Sequence, residues 1–328
     1  MKFLIPFLVL FSSVASAKTL TIYTSRKEHL IKPILDLYTK ETGVKFNYTT
    51  NKDGALIQRL KAEGSSTPAD LLFTVDGGNL WYASTQNILE PINSQILDKN
   101  IPASFKDPKN LWFAFSLRAR TIVYNPKTVK KGELSTYEDL ATSKWKGRLC
   151  LRTSKKVYNQ SLVAELIDTL GRKKAKKVVA GWVANTVDIF SNDTSAIKGV
   201  ISGQCDAAIV NTYYYGRLLK KDPSIGVKIF WPNQNDKLGV HINVSGAGLL
   251  KYSKNKKESK KFLEWLSGGK AQALFASLNL EYPANPSVDL DPLVKSWGTF
   301  KYNKEFNLSK AGMLQKDAIK LMHEVQYK

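Results

Sequence analysis

Residues 112–125 read WFAFSLRARTIVYN, a stretch rich in aromatic and β-branched side chains. Such residues favour extended structure, and the stretch is long enough to pass from one domain into another. A second β-like run at residues 241–252 comes more than a hundred residues later. Two long strands of this kind predict a chain that crosses between two domains and then returns.

The segment before this stretch alternates between strand-like and helix-like patterns. Strands are expected at residues 20–24, 44–48 and 70–75, with amphipathic helices at residues 29–42 and 55–63 between them. An alternation of this type predicts a parallel sheet with right-handed crossovers.

A second α/β unit follows, and the whole pattern predicts an α/β fold of two lobes that closes like a clamshell. Each lobe is expected to hold a mixed sheet flanked by helices, and two crossing strands join the lobes. Residues 18–118 with about 245–328 form the first lobe, and residues about 119–244 form the second. The helices from about residue 257 onward are expected to pack on the first lobe. Ligands in such folds bind between the lobes, at the carboxyl ends of strands.

The first 17 residues have the pattern of a cleavable export signal. A basic start is followed by a short apolar run and an A-x-A ending at Ala17, which is typical of secretory signals. Cys150 and Cys205 are the two cysteines of the chain, and two thiols in an exported protein are expected to pair. Each lies in a strand-like run, so their disulfide would connect two strands of the second lobe.

The formal charge of +21 suggests an anionic partner, but the distribution of the lysines does not. They are spread along helices, as on solvated helix faces, so we expect no binding to nucleic acid. Motifs for common enzyme classes are missing: the sequence has no G-x-S-x-G, no H-E-x-x-H, no C-x-x-C and no phosphate-binding loop. We therefore expect a protein that is not an enzyme.

Tyr213, Tyr214 and Tyr215 follow an apolar strand-like run at residues 207–210. A phenol that binds a highly charged cation loses its proton and becomes a hard anionic ligand, which suits Fe(III). Tyr158 comes after the Cys150 strand as Tyr213 comes after the Cys205 strand, so a disulfide between these strands would bring the tyrosines close together. The alternative is that the aromatic run packs a core and exposes its hydroxyl groups.

The sequence resembles the periplasmic ferric-ion-binding proteins that supply ABC-type iron importers. The resemblance covers essentially the whole chain after the signal, and it rests on residues 22–26, 68–70, 74–76, 118–120, 158–159, 211–214 and 241–246. It implies a periplasmic, monomeric receptor of the periplasmic-binding-protein fold that delivers Fe(III) to an ABC permease in the inner membrane. The alternative is a receptor of the same fold for an organic solute or an oxyanion.

The resemblance also implies the residues of the site. Tyr158, Tyr213 and Tyr214 would bind the metal, and Tyr215 would pack nearby. Arg118 would hold an accompanying anion such as carbonate, because a guanidinium binds carboxylate-like oxyanions through two donors. The alternative for Arg118 is a salt bridge in the crossing strand.

The sequence departs from several relatives after its first strand. Glu28 stands where those relatives have a tyrosine, and the neighbouring His29 is displaced. Glu28 and His29 are therefore candidates for additional ligands or for residues just behind the ligands, while the alternative is that water or an anion completes the site. Asp76 follows a strand as well, but it is expected to cap the next helix.

Overall fold

The structure is a computed structural model that describes residues 18–328, so the predicted export signal lies outside the described residues. Within residues 18–328, no helix has both the length and the apolar character needed to cross a membrane. The strands are β1 (Thr19–Thr24), β2 (Lys45–Thr50), β3 (Leu71–Thr74), β4 (Leu89–Glu90), β5 (Phe113–Tyr124), β6 (Leu149–Arg152), β7 (Thr186–Phe190), β8 (Ala207–Asn211), β9 (Lys228–Phe230), β10 (His241–Leu250) and β11 (Tyr282–Pro283).

The helices alternate with these strands in the first two thirds of the chain and dominate the last third. They are α1 (Glu28–Thr42), α2 (Asp53–Glu63), α3 (Gly77–Thr85), α4 (Gln95–Asn100), α5 (Val157–Leu170), α6 (Arg172–Asn185), α7 (Asp193–Ile201), α8 (Thr212–Lys221), α9 (Lys256–Leu266), α10 (Gly269–Ser277), α11 (Pro292–Lys295), α12 (Ser309–Met313) and α13 (Gln315–Glu324).

The strands form one mixed sheet, in which eight of them follow the order β2-β1-β3-β10-β5-β8-β6-β7, while β4 pairs with β10, and β9 and β11 pair with β5. The pairs β1–β2, β1–β3, β6–β7 and β6–β8 are parallel. The two long strands β5 and β10 lie antiparallel to each other in the middle. β10 also pairs with β3, and β5 also pairs with β8. The predicted crossing strands are therefore confirmed, because these two strands join the parallel strands of one half to those of the other.

Close packing of β10 against its neighbours explains two glycines in this strand. A Cβ atom at Gly246 would lie 2.5 Å from the carbonyl oxygen of Phe113, and one at Gly248 would lie 2.8 Å from that of Leu111. Neither position has room for a side chain, which is a common reason for glycine inside a strand.

The apolar core separates into one large cluster and two smaller ones. The large cluster includes Phe73 from β3, Phe115 from β5 and Phe262 from α9, while Trp182 belongs to a cluster around α5 and α6. The lobe boundaries stay a prediction.

One expectation about the last helices is wrong. α9 and α10 contribute to the large cluster as expected, but α13 packs against α5 and α6 instead. The buried side chain of Leu321 in α13 belongs to the cluster around these two helices. The apolar face of α13, with Ala318, Leu321 and Met322 buried, completes this cluster.

The predicted disulfide is confirmed. Cys150 in β6 is bonded to Cys205, which lies just before β8, and their Cα atoms are 5.8 Å apart. β6 and β8 are parallel neighbours, so their carboxyl ends lie at the same edge of the sheet. α5 and α8 begin close to that edge.

Candidate metal and anion site

Two helix starts bring the predicted tyrosines to this edge of the sheet. Tyr158 lies in the first turn of α5, after β6, and Tyr213 and Tyr214 lie in the first turn of α8, directly after β8. Tyr213 is buried, with 3% of its surface exposed, whereas Tyr158 and Tyr214 are half-buried. The carboxyl ends of parallel strands are the usual position for ligand sites in α/β folds.

Two guanidinium groups each lie beside a pair of the three phenol rings. The ring centroids of Tyr213 and Tyr214 are 4.3 Å apart. The Cζ atom of Arg152 lies 5.0 Å from the ring centroid of Tyr158 and 5.9 Å from that of Tyr214. The Cζ atom of Arg217 lies 5.1 Å from the ring of Tyr213 and 5.5 Å from that of Tyr214. The structure thus brings together the three side chains that the sequence singled out, although their role as ligands stays a prediction.

Burial controls the protonation of two of these phenols. It raises the pKa of Tyr158, an effect that nearby Arg118 opposes and Tyr214 reinforces. Burial raises the pKa of Tyr213 well above its ordinary value, and the phenols of Tyr158 and Tyr214 raise it further. Deprotonation of all three phenols would bring three negative charges together, and a highly charged metal ion would balance this charge together with the neighbouring guanidinium groups.

Arg118 lies beside the tyrosines on β5, with 3% of its surface exposed. Its Cζ atom is 5.6 Å from the ring centroid of Tyr158, Nη2 donates to the carbonyl of Val244, and Nη1 is 3.9 Å from Oε1 of Glu281. Burial would lower the pKa of Arg118, but Glu281 and the phenols of Tyr158 and Tyr213 raise it above the ordinary value. Arg118 therefore stays charged, and its Nε has no partner among the described residues, which leaves a donor for an anion. The ion pair with Glu281 also fits the alternative interpretation of this residue.

Glu28 and His29 lie elsewhere, at the start of α1. Both are exposed, and Oε1 of Glu28 accepts a hydrogen bond of 2.7 Å from the hydroxyl of Tyr48. In the part of the chain that the structure describes, no hydrogen bond or ion pair joins either residue to the three tyrosines. Their contribution to a metal site therefore stays an untested prediction.

Asp76 caps α3, as expected. Its Oδ1 accepts from the backbone amides of Gly78 at 2.8 Å and Asn79 at 3.2 Å. Its Oδ2 accepts from Asn243 Nδ2 at 2.6 Å and from the hydroxyl of Ser161 at 3.3 Å. The carboxylate is thus fully used in joining α3 to β10 and α5.

Asp53 is a residue near the site that the sequence did not reveal. It begins α2, and Oδ1 of its carboxyl is buried without a hydrogen-bond partner among residues 18–328. Burial raises the pKa of Asp53 to about 6; Asp76 adds to the rise, while Ser25 and Arg118 oppose it. The carboxyl therefore changes charge in mildly acidic solution. The sequence predicts that this helix begins at residue 55, whereas it begins at Asp53 in the structure. An acidic residue just after β2, at the start of a helix, was the signal that could have identified it.

Tyr215 does not join the cluster. It is buried against Trp297, at 5.9 Å between ring centroids, and its hydroxyl donates to the carbonyl of Val227 at 3.5 Å. Within the described residues, no group of three or more His, Cys, Asp or Glu side chains is arranged to hold a metal. A metal proposal for this chain therefore depends on Tyr158, Tyr213 and Tyr214.

A two-lobed α/β fold with polar groups gathered beside the crossing strands is the architecture of solute receptors. The chain belongs to the family of bacterial extracellular solute-binding proteins, whose model matches residues 23–273. It is 41% identical over 316 residues to iron uptake protein A1 of Synechocystis, which covers 94% of this chain and 87% of that protein. It is 28% identical over 287 residues to the major ferric iron-binding protein of Neisseria meningitidis, at 84% and 85% coverage.

Solved structures give the same result for the fold. A Trichodesmium protein, IdiA or FutA, in complex with iron and citrate superposes with a TM-score of 0.88 at 42% identity, covering 94% of this chain and all 100% of that one. The ferric iron-binding protein A of Mannheimia haemolytica in an open conformation has a TM-score of 0.88 at 37% identity, with 95% and 99% coverage. The predicted fold class and the predicted family resemblance are therefore confirmed.

Proposed function

We propose that this protein is a periplasmic Fe(III) receptor that delivers the ion to an ABC permease in the inner membrane. One observation carries the proposal: the three phenols follow two strands that a disulfide links, and Tyr214 shares one neighbouring guanidinium with Tyr158 and another with Tyr213. Relatives that are named for iron uptake and ferric iron binding support it. In this role the protein is a monomeric receptor without enzymatic activity.

Tyr158, Tyr213 and Tyr214 bind the ion as phenolates in the cleft. Phenolate oxygens are hard anionic donors, which match a small trivalent cation better than a soft one. Arg118 holds an accompanying oxyanion, such as carbonate, through its unpartnered Nε. The iron and citrate in the Trichodesmium complex support the presence of an oxyanion beside the metal.

Binding proceeds by closure of the two lobes. The second lobe carries all three tyrosines and takes the ion first, and the first lobe then covers it. Closure of this kind is the common response of two-lobed receptors to their ligands. Because a buried ion is shielded from water and from reductants, the closed form carries it safely to the permease.

A spectroscopic titration tests this function. Charge transfer from phenolate to Fe(III) gives a broad visible band, so the purified protein should turn orange to red when ferric citrate is added. The double variant Tyr213→Phe/Tyr214→Phe should stay colourless while its circular dichroism is unchanged. Tyr215→Phe is the matched control, since it removes a hydroxyl from the same helix but outside the cluster, and it should keep the colour. A colourless wild type that binds an organic solute tightly would instead favour the alternative receptor.

A further inference from the structure

A buried ion cluster lies directly behind the tyrosines. Asp193, at the start of α7, has no exposed surface, and its Oδ1 is 3.0 Å from Nη1 of Arg120. The same oxygen accepts from the backbone amide of Asn211 at 3.1 Å, while Oδ2 binds Nη1 of Arg152. One carboxylate thus compensates two guanidinium groups in the protein interior.

This cluster is connected to both helix starts that carry the tyrosines. Arg120 donates to the side-chain oxygens of Asn159 and Asn211. Asn159 follows Tyr158 in the chain, and Asn211 precedes the first turn of α8. Shared hydrogen bonds of this kind fix the relative position of two segments, because breaking any of them would leave a buried polar group unsatisfied.

Arg152 is the member of the cluster that reaches the tyrosine rings. Its guanidinium lies 5.0 Å from the ring centroid of Tyr158 and 5.9 Å from that of Tyr214. The side chain is 5% exposed, and its Nε has no partner among the described residues. A buried ion pair is a weak source of stability, since apolar residues of similar volume often replace one without loss. The position of Arg152 between two rings from different helices therefore calls for another explanation.

We propose that Arg152, held by Asp193, is a positioning residue that sets the rings of Tyr158 and Tyr214 at the separation required by one shared ferric ion. This inference rests on the proposed function. Arg152 does not bind the metal; its planar guanidinium, fixed through Nη1, limits the orientations of both rings before the ion arrives. Groups that orient metal ligands from behind typically change metal affinity by about 10- to 100-fold when they are removed.

The test compares Arg152→Gln and Arg152→Lys with a matched control, Arg148→Gln. Arg148 lies just before β6 and forms ion pairs with Glu133 and Asp206, so its loss removes an arginine from the same region without touching the tyrosines. Ferric affinity is measured by competition with citrate, and the position of the charge-transfer band is measured in the loaded protein.

Arg152→Gln should weaken ferric binding by roughly 10- to 100-fold and should shift the band, because the phenolates then meet the ion at altered angles. Arg152→Lys keeps the charge but not the planar fork, so it should shift the band in the same direction with a smaller loss of affinity. Arg148→Gln should leave both quantities unchanged.

Wild-type affinity together with an unmoved band in Arg152→Gln would overturn the inference. So would a loss of affinity that comes with a lowered melting temperature and an unmoved band, because that pattern shows only a structural role. If Arg152→Gln does not fold, Arg152→Lys decides, and wild-type behaviour of that variant refutes the proposal. A wild-type protein without any band is a different result, since it refutes the proposed function and this inference with it.

Discussion

Replacing Tyr213 with Phe removes one phenol hydroxyl and leaves the ring. The ring of the variant fills the same buried position, so its packing against the ring of Tyr214, at 4.3 Å between centroids in the wild type, should be kept. If Tyr213 binds Fe(III) as a phenolate, wild-type protein releases one proton from this residue for each ion bound. The variant has no such proton to release, so the pH dependence of binding should change by a fixed amount.

The size of that change follows from the environment of the phenols. Burial raises the pKa of Tyr158 and Tyr213, so both keep their protons from mildly acidic to neutral pH. Each proton that must leave makes the apparent association constant rise tenfold per pH unit. Binding by three phenolates therefore makes this constant rise about a thousandfold per pH unit, which corresponds to roughly 4 kcal/mol. Affinity therefore increases as the pH rises, because protons compete with the ion for the phenolate oxygens, and the raised pKa values of Tyr158 and Tyr213 keep this competition in force through neutral pH. In Tyr213→Phe the slope should fall to about a hundredfold per pH unit.

The assay is competition with citrate at a series of pH values, performed in parallel for wild type and variant. Protonation of citrate and hydrolysis of iron affect both proteins equally, so they cancel in the difference between the two slopes. A weakly buffered titration with a pH indicator gives the proton count directly. Tyr215→Phe is the control and should keep the wild-type slope.

A variant that still binds Fe(III) with the wild-type slope would refute the reasoning, because Tyr213 would then contribute no phenolate. A reduced slope in Tyr215→Phe would refute it differently, by showing that the wrong members of the tyrosine triple were assigned to the metal.

Three further predictions concern the disulfide, the oxidation state of iron and helix α8. Cys150→Ala/Cys205→Ala should lower the free energy of unfolding by about 4 kcal/mol, because the disulfide closes a loop between cysteines that are 55 residues apart. Urea unfolding measures this loss, and equal midpoints for variant and wild type would contradict it. Reduction with dithionite should abolish the visible band and release iron to a ferrous chelator, because Fe(II) holds phenolates less well; a band that persists in the reduced protein would count against phenolate ligands. Gly216→Ala should destabilise the protein by about 1–3 kcal/mol, since the new Cβ would lie 2.7 Å from the ring of Trp297; a wild-type melting temperature would show that this contact relaxes freely.

Much of the fold could be predicted because hydrophobic periodicity and strand composition are local signals. The expected helix at residues 29–42 begins one residue earlier in the structure, at Glu28, and both crossing strands were located from their length and composition. The packing of α13 could not be predicted in this way. Its apolar stripe fits any apolar surface, and only the folded chain shows that this surface belongs to α5 and α6.

The candidate site also contains some residues that could be predicted from the sequence and others that could not. Tyr158, Tyr213 and Tyr214 could be found because each follows a recognisable strand, and the disulfide between those strands predicts that they are close. Arg152 and Asp193 could not be found, because an arginine at the end of a strand and an aspartate at the start of a helix are common at exposed positions. Their burial results from contacts between residues far apart in the sequence, such as Arg120 with Asp193.

The segment Arg118-Ala119-Arg120 shows how one strand serves both halves of the molecule. Side chains two residues apart in a strand point to the same face, so Arg118 and Arg120 lie on one face of β5. Arg118 is near Glu281, a buried acid that also binds Arg26 at 3.2 Å, whereas Arg120 binds Asp193 behind the tyrosines. The two guanidinium groups are thus anchored to different parts of the molecule through a short length of backbone. If the proposed closure bends β5, it should change the distance between Arg118 and the tyrosines that Arg120 helps to fix, so we expect anion binding and metal binding to be coupled to closure.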